Sequence, residues 1–251
     1  MPMLDREGVR INYEMAGEGP TVLLTHGFSA SSAMWRDNVP ALVEAGHRVI
    51  TWDMRGHGKS DSPDDGTLYS AALTVGDIDA LLDAAGVDEA VIGGMSLGGY
   101  MSLAYHLAHR ERVRALMLID TGPGFKKDAA REAWNERARA RGEDFLARGE
   151  AALSGSPETR MQEQNFVGLR HAARGMLAQE SAEAINSLPS IAVPTLVVVG
   201  DRDEPFLAAS DYMAHKIPGA RKVIIADAGH AANVDQPADF NAAVIGFLGG
   251  L

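Results

Sequence analysis

The chain has 251 residues, 46% of them hydrophobic, which is enough to bury one sizeable core, and its formal net charge is −11. That acidity argues against binding to a phosphate backbone or an anionic bilayer, so neither a nucleic-acid nor a membrane partner is expected. With no cysteine, the chain can form no disulfide, no thiolate metal site and no cysteine nucleophile.

From the N-terminus, Met1 to Gly8 carries Asp5, Arg6 and Glu7 rather than a basic-then-apolar signal pattern, so the cytoplasm is the expected compartment. Apolar runs predict strands at Val9 to Glu14, Val22 to Thr25 and Arg48 to Trp52, with helices at Ser32 to Glu44 and Leu68 to Ala85. Trp35, at the start of the first helix, is a candidate pocket residue. Ala90 to Gly93 predicts the next strand, and Leu97, Tyr100, Met101, Ala104 and Ala108 recur at the spacing of a buried helical stripe from Leu97 to His109.

Gly94-Met95-Ser96-Leu97-Gly98 therefore falls on a strand-to-helix turn, where a G-x-S-x-G pentad exposes a serine hydroxyl above a helix N-terminus. Side chains two residues to either side would collide where strand and helix converge, so Gly94 and Gly98 are the types required. The segment completes neither a dinucleotide fingerprint nor a phosphate loop, and no cofactor is expected. His106 and His109 share a helix but lack a third ligand, so no metal is expected either.

The run Ala115 to Ile119 predicts a strand ending at Asp120. Beyond it, the strand-helix alternation breaks from Gly122 to Ser190, a stretch that balances ten basic against ten acidic residues. Lys126 to Glu150 reads as helix with Trp134, Phe145 and Leu146 interspersed; after Ser154-Gly155-Ser156-Pro157, further helical stretches carry Met161, Phe166, Leu169, Met176 and Leu177. The expected division is a core of residues 1–121 and 191–251 with a helical cap, 122–190, inserted over the C-terminal edge of its sheet. Trp134, Phe145 and Met176 are candidates for the pocket side of that cap.

The alternation resumes with a strand at Thr195 to Val199, a helix at Phe206 to Lys216, a strand at Lys222 to Ile225 and a helix at Pro237 to Leu248. A serine hydroxyl needs a base to remove its proton, ordinarily a histidine fixed by a carboxylate. His230 follows one of these strands, and Asp201, Asp203, Asp227 and Asp120 all compete for the carboxylate role. The order Ser, Asp, His differs from the chymotrypsin and subtilisin orders.

These features together resemble the α/β-hydrolases, in the branch of esterases, lactonases and C–C hydrolases. His26-Gly27-Phe28 resembles that family's H-G-x oxyanion loop, Asp53-Met54-Arg55-Gly56-His57-Gly58-Lys59-Ser60 its D-x-R-G-x-G-x-S loop, and Gly229-His230 with Asn233 and Pro237 its C-terminal histidine motif. The resemblance implies a mainly parallel twisted sheet with helices on both faces and a helical cap. It implies Ser96 as nucleophile, His230 as base and Asp203 as acid, because the family places the acid three residues after the strand-ending glycine. It further implies an oxyanion hole from the Phe28 and Leu97 amides, with His26 and Gly27 supporting that loop. The expected activity is hydrolysis of a small to medium carboxylic ester or lactone, a small-molecule substrate. The alternatives are C–C cleavage of a diketone, cofactor-free perhydrolysis, or a ligand receptor that retains the same three residues.

Overall fold

Three runs of wholly buried residues, Thr21–Thr25 (β3), Ala90–Met95 (β5) and Thr195–Gly200 (β7), can lie only inside a sheet covered on both faces. The computed structural model, which describes residues 2–153 and 164–251, places them there. With Met3–Arg6 (β1), Val9–Ala16 (β2), Arg48–Trp52 (β4), Val113–Ile119 (β6) and Arg221–Ile225 (β8) they form one sheet in the order β1-β2-β4-β3-β5-β6-β7-β8. Strand β2 pairs antiparallel with both β1 and β4, and every other pairing in the sheet is parallel.

Helices Val39–Glu44 (α1) and Pro237–Leu248 (α9) cover one face around Trp35, Leu42 and Phe240. Helices Ala71–Ala84 (α2), Leu97–Ala108 (α3) and Glu204–Lys216 (α7) cover the other around Ile78, Leu103 and Met213. Between β6 and β7 lie Asp128–Arg148 (α4), Phe166–Ala172 (α5), a π-helical turn Ala173–Leu177 and Glu183–Ser187 (α6). Residues Ser154 to Pro157 and Met161, read from the sequence as a turn and a helical position, lie outside the described residues.

The predicted helix from Ser32 to Glu44 is two pieces, a 3₁₀ turn at Ser32–Trp35 and then α1, which begins at Val39 with Pro40 in its first turn. Pro40 lacks the N–H that would have carried one helix across the junction. Strand β1, whose residues alternate between exposed and half-buried, and the single turn Ala232–Asp235 (α8) have no counterpart in the sequence reading. No helix among the described residues is long and apolar enough to cross a membrane.

The Asp53 to Ser60 loop is tied down from several sides. Asp53 accepts hydrogen bonds from Ser32 N, Lys59 N and Asn12 Nδ2 at 2.7, 3.0 and 2.9 Å. Arg55, buried, reaches the equally buried Asp77 of α2 at 2.6 Å. Asp77 also meets Arg6 at 3.3 Å, so it is loss of Asp77 that leaves an uncompensated buried charge, on Arg55, at a cost of about 3–5 kcal/mol.

Candidate active site

Ser96 sits between β5 and α3 with φ 52° and ψ −113°, a backbone conformation that L-residues avoid. Convergence of strand and helix enforces it: a Cβ on Gly94 would meet the Gly98 backbone, and one on Gly98 the Thr25 carbonyl. Ser96 N donates to Ile119 O at 2.9 Å, and the Thr121 hydroxyl donates to Ser96 O at 2.6 Å, so the next strand holds the turn.

The loops after β7 and β8 bring the other groups to it. His230 Nε2 lies 3.0 Å from Ser96 Oγ, and His230 Nδ1 lies 2.8 Å from Asp203 Oδ2. Asp203 is buried, and the Phe206 ring stacks on the imidazole at 4.7 Å. The other three carboxylates are engaged elsewhere. Asp201 accepts from Ala228 N at 3.2 Å, and Asp227 pairs with Arg202 at the surface. Asp120 accepts from Gly200 N at 2.8 Å and Ala232 N at 3.0 Å, tying the loop that carries Asp203 to the loop that carries His230. Burial pushes the Asp120 carboxyl up to about 7, although those two amides favour its charged form.

His26 braces the loop that carries Phe28. Its Nδ1 lies 2.7 Å from Gly27 O, and its Nε2 accepts from Met54 N at 2.9 Å, which makes the Nδ1–H tautomer the donor to Gly27. Burial lowers the pKa of His26 and takes that of His57 down to about 3, so both rings stay neutral. His57 is thus a structural residue, packed against the His26 and Phe28 rings at 5.0 and 5.8 Å. Leu97 is the first residue of α3, and its amide has no acceptor within the helix.

A cavity of about 590 Å³ opens onto Ser96, Leu97, Phe28 and His230, and its opposite wall comes from the helices between β6 and β7. Of the pocket residues predicted from sequence, Trp134 lines it. Trp35 does not: the 3₁₀ turn directs it into the core on the α1–α9 face, where it meets Phe240 at 6.3 Å. Phe145 and Met176 are also fully buried rather than lining, Phe145 within a small cluster with Leu169 and Ala152, and Met176 against the α2–α3 core. The wall also includes Tyr100, Phe125, Arg137, Arg141, Gln179 and Phe206, which sequence reasoning missed. Phe206 alone had a usable signal, its place three residues after Asp203.

A family model described as alpha/beta hydrolase fold matches residues 20–162. A putative 2-succinyl-6-hydroxy-2,4-cyclohexadiene-1-carboxylate synthase of Bacillus subtilis is 30% identical over 266 residues, covering 96% of each chain. The 3-oxoadipate enol-lactonase 1 of Acinetobacter baylyi is 28% identical, covering 97% of this chain and 95% of its own. Among solved structures, a thermophilic esterase from Thermogutta terrifontis superposes with a TM-score of 0.82 at 29% identity, over 99% of this chain and 96% of its own.

Proposed function

Since this chain belongs to the alpha/beta hydrolase fold family, we propose that it is a serine hydrolase of small to medium carboxylic esters or lactones, working through an acyl-Ser96 intermediate. The observation that carries this reading is the hydrogen-bonded line from Asp203 through His230 to Ser96, which ends at the wall of the cavity. Segment 122–190 is read as a cap that supplies the opposite wall, and the partner is a small molecule.

Asp203 accepts from His230 Nδ1–H, which leaves Nε2 as the acceptor facing the Ser96 hydroxyl. As Oγ attacks the ester carbon, its proton passes to Nε2 and the carbonyl oxygen becomes an oxyanion, stabilised by the Phe28 and Leu97 amides and the N-terminal end of α3. The imidazolium then protonates the departing alkoxide as the C–O bond breaks. With a lactone, the freed hydroxyl stays on the acyl chain. Water that gives its proton to His230 attacks the acyl carbon, and collapse returns a proton to Ser96 and releases the acid. The atoms balance with water as the sole co-reactant.

The Bacillus subtilis relative, named as a putative synthase, favours a second reading in which the same site serves a synthase reaction rather than hydrolysis. Intact mass after a fluorophosphonate, together with turnover on an ester and lactone panel, tests the first reading. One adduct in wild type, none in Ser96→Ala, and many turnovers per site abolished by that substitution are expected. An adduct that persists in Ser96→Ala removes Ser96 as nucleophile. Labelling without ester turnover favours the synthase reading, and a single slow turnover favours a receptor.

A further inference from the structure

The cavity wall differs in charge from the protein that holds it. The chain carries −11, yet among the described residues the wall has no carboxylate, and its permanent charges are the guanidinium groups of Arg137 and Arg141. These two share a face of α4 with Trp134, because steps of three and four residues bring helical positions into line. The other described arginines of this region are each committed to a carboxylate: Arg131 to Asp128, Arg139 to Glu132, Arg148 to Asp144, and both Arg170 and Arg174 to Glu143. Arg141 approaches Asp144 only to 3.8 Å, a group that Arg148 already holds at 3.1 Å. Arg137 lies 6.0 Å over the Trp134 ring and Arg141 4.4 Å over the Phe145 ring, contacts that orient the guanidinium planes without neutralising them.

Gln179 faces the same space. It is 7% exposed, and its Oε1 is buried without a hydrogen-bond partner among the described residues. Its backbone, by contrast, is clamped at both ends by one side chain: Asn135 Nδ2 donates to Gln179 O at 2.9 Å, and Asn135 Oδ1 accepts from Gln179 N at 2.8 Å. The clamp holds Gln179 at the pocket wall, where the Nε2–H₂ of its amide is the group that can donate to an anion.

Resting on the reading of Ser96 as an acyl-forming nucleophile, we infer that the substrate is an acid as well as an ester, one end presenting its carbonyl to Ser96 and the other a free carboxylate to Arg137, Arg141 and the Gln179 amide. The class is hemiesters of short dicarboxylic acids and lactones that carry a carboxylate. A guanidinium presents parallel N–H groups at the spacing of two carboxylate oxygens, which a lysine does not. Two such groups also draw in an anion that the surface of an acidic protein repels.

The test compares p-nitrophenyl hemiesters of glutaric and adipic acid with neutral p-nitrophenyl esters of matched length. Wild type is expected to favour the anionic esters by about tenfold or more in kcat/KM, chiefly through KM, with the preference shrinking as salt is added. Arg137→Gln and Arg141→Gln each lower that ratio by about tenfold, and the double replacement by Glu inverts it. Arg139→Gln, on a residue paired with Glu132, keeps the wild-type ratio. A wild-type ratio at or below one, or a ratio that neither variant moves, overturns the inference. Calorimetry of monomethyl glutarate with Ser96→Ala reads the anion site without chemistry: binding that disappears on adding Arg137→Gln supports the inference, and absence of binding with both arginines present overturns it. Fluorophosphonate labelling of Ser96 without anion preference refutes this inference alone, whereas loss of labelling and ester turnover refutes the hydrolase reading beneath it.

Discussion

Ser96 is held in a left-handed backbone conformation, and the strand and helix that force it there are the same elements that aim its hydroxyl. The pentad was legible because this steric requirement leaves a glycine signature on both sides of the serine. The carboxylate that partners His230 was harder to read. Asp201 and Asp203 share one turn, and nothing in their spacing says which carboxylate reaches a ring 27 residues downstream of Asp203. The decisive facts are burial and the 2.8 Å approach to Nδ1, which belong to the fold rather than to local sequence. Asp203→Asn is expected to lower kcat on an activated ester by about 10⁴, because the wrong imidazole tautomer is then stabilised. Asp201→Asn and Asp227→Asn should stay near wild type. Asp120→Asn places an NH₂ against one of two amide donors, so a lower melting temperature with a smaller kcat loss is expected. Should Asp120→Asn lose more activity than Asp203→Asn at equal folding, the roles of the two carboxylates are reversed.

Helix α4 shows why the cavity lining escaped sequence reasoning. Its apolar positions are few, and Trp134 and Phe145 read alike from sequence as candidates for the pocket side. In the folded chain Trp134 lines the cavity and donates through Nε1 to Leu177 O at 2.9 Å, whereas Phe145 is wholly buried, 5.8 Å from Phe28 and 6.3 Å from Phe166. Which side of a helix faces substrate depends on the elements that pack against it, and those arrive from distant sequence. The strands were easier to read: a continuous apolar run such as Leu196 to Val199 in β7 has no polar face and so must be covered on both sides. Strand β1 alternates exposed and half-buried residues at the sheet edge and offers no such signal. Phe145→Ala is expected to cost about 3–5 kcal/mol in denaturant unfolding with the acyl-length profile of hydrolysis retained. Trp134→Ala should do the opposite, shifting the profile with a smaller loss of stability. Equal profile shifts in the two variants would mean that Phe145 reaches substrate.

Across the whole molecule, two buried titrations of opposite sign meet near the site. His57 has its pKa lowered by burial from 6.5 to about 3, so between those values the unfolded chain binds the extra proton and stability falls as pH falls. Asp120 has its pKa raised by burial from 3.8 to about 7, so over that window the folded chain binds the extra proton and stability falls as pH rises. The two slopes oppose one another from about pH 4 to 6.5, leaving the lowered pKa of His26 to tilt the balance towards loss in acid. Because His57 touches both His26 and Phe28, forced protonation strikes the loop that carries the Phe28 amide. Replacing His57 by Gln removes one slope and leaves that of Asp120. Urea midpoints measured from pH 4.5 to 7.5 are therefore expected to show the variant losing least at the acid end, with the wild-type-minus-variant difference growing more positive as pH rises to 6.5 and levelling above it. A difference that stays constant across the range would mean that burial of a neutral His57 is not a source of the acid limb.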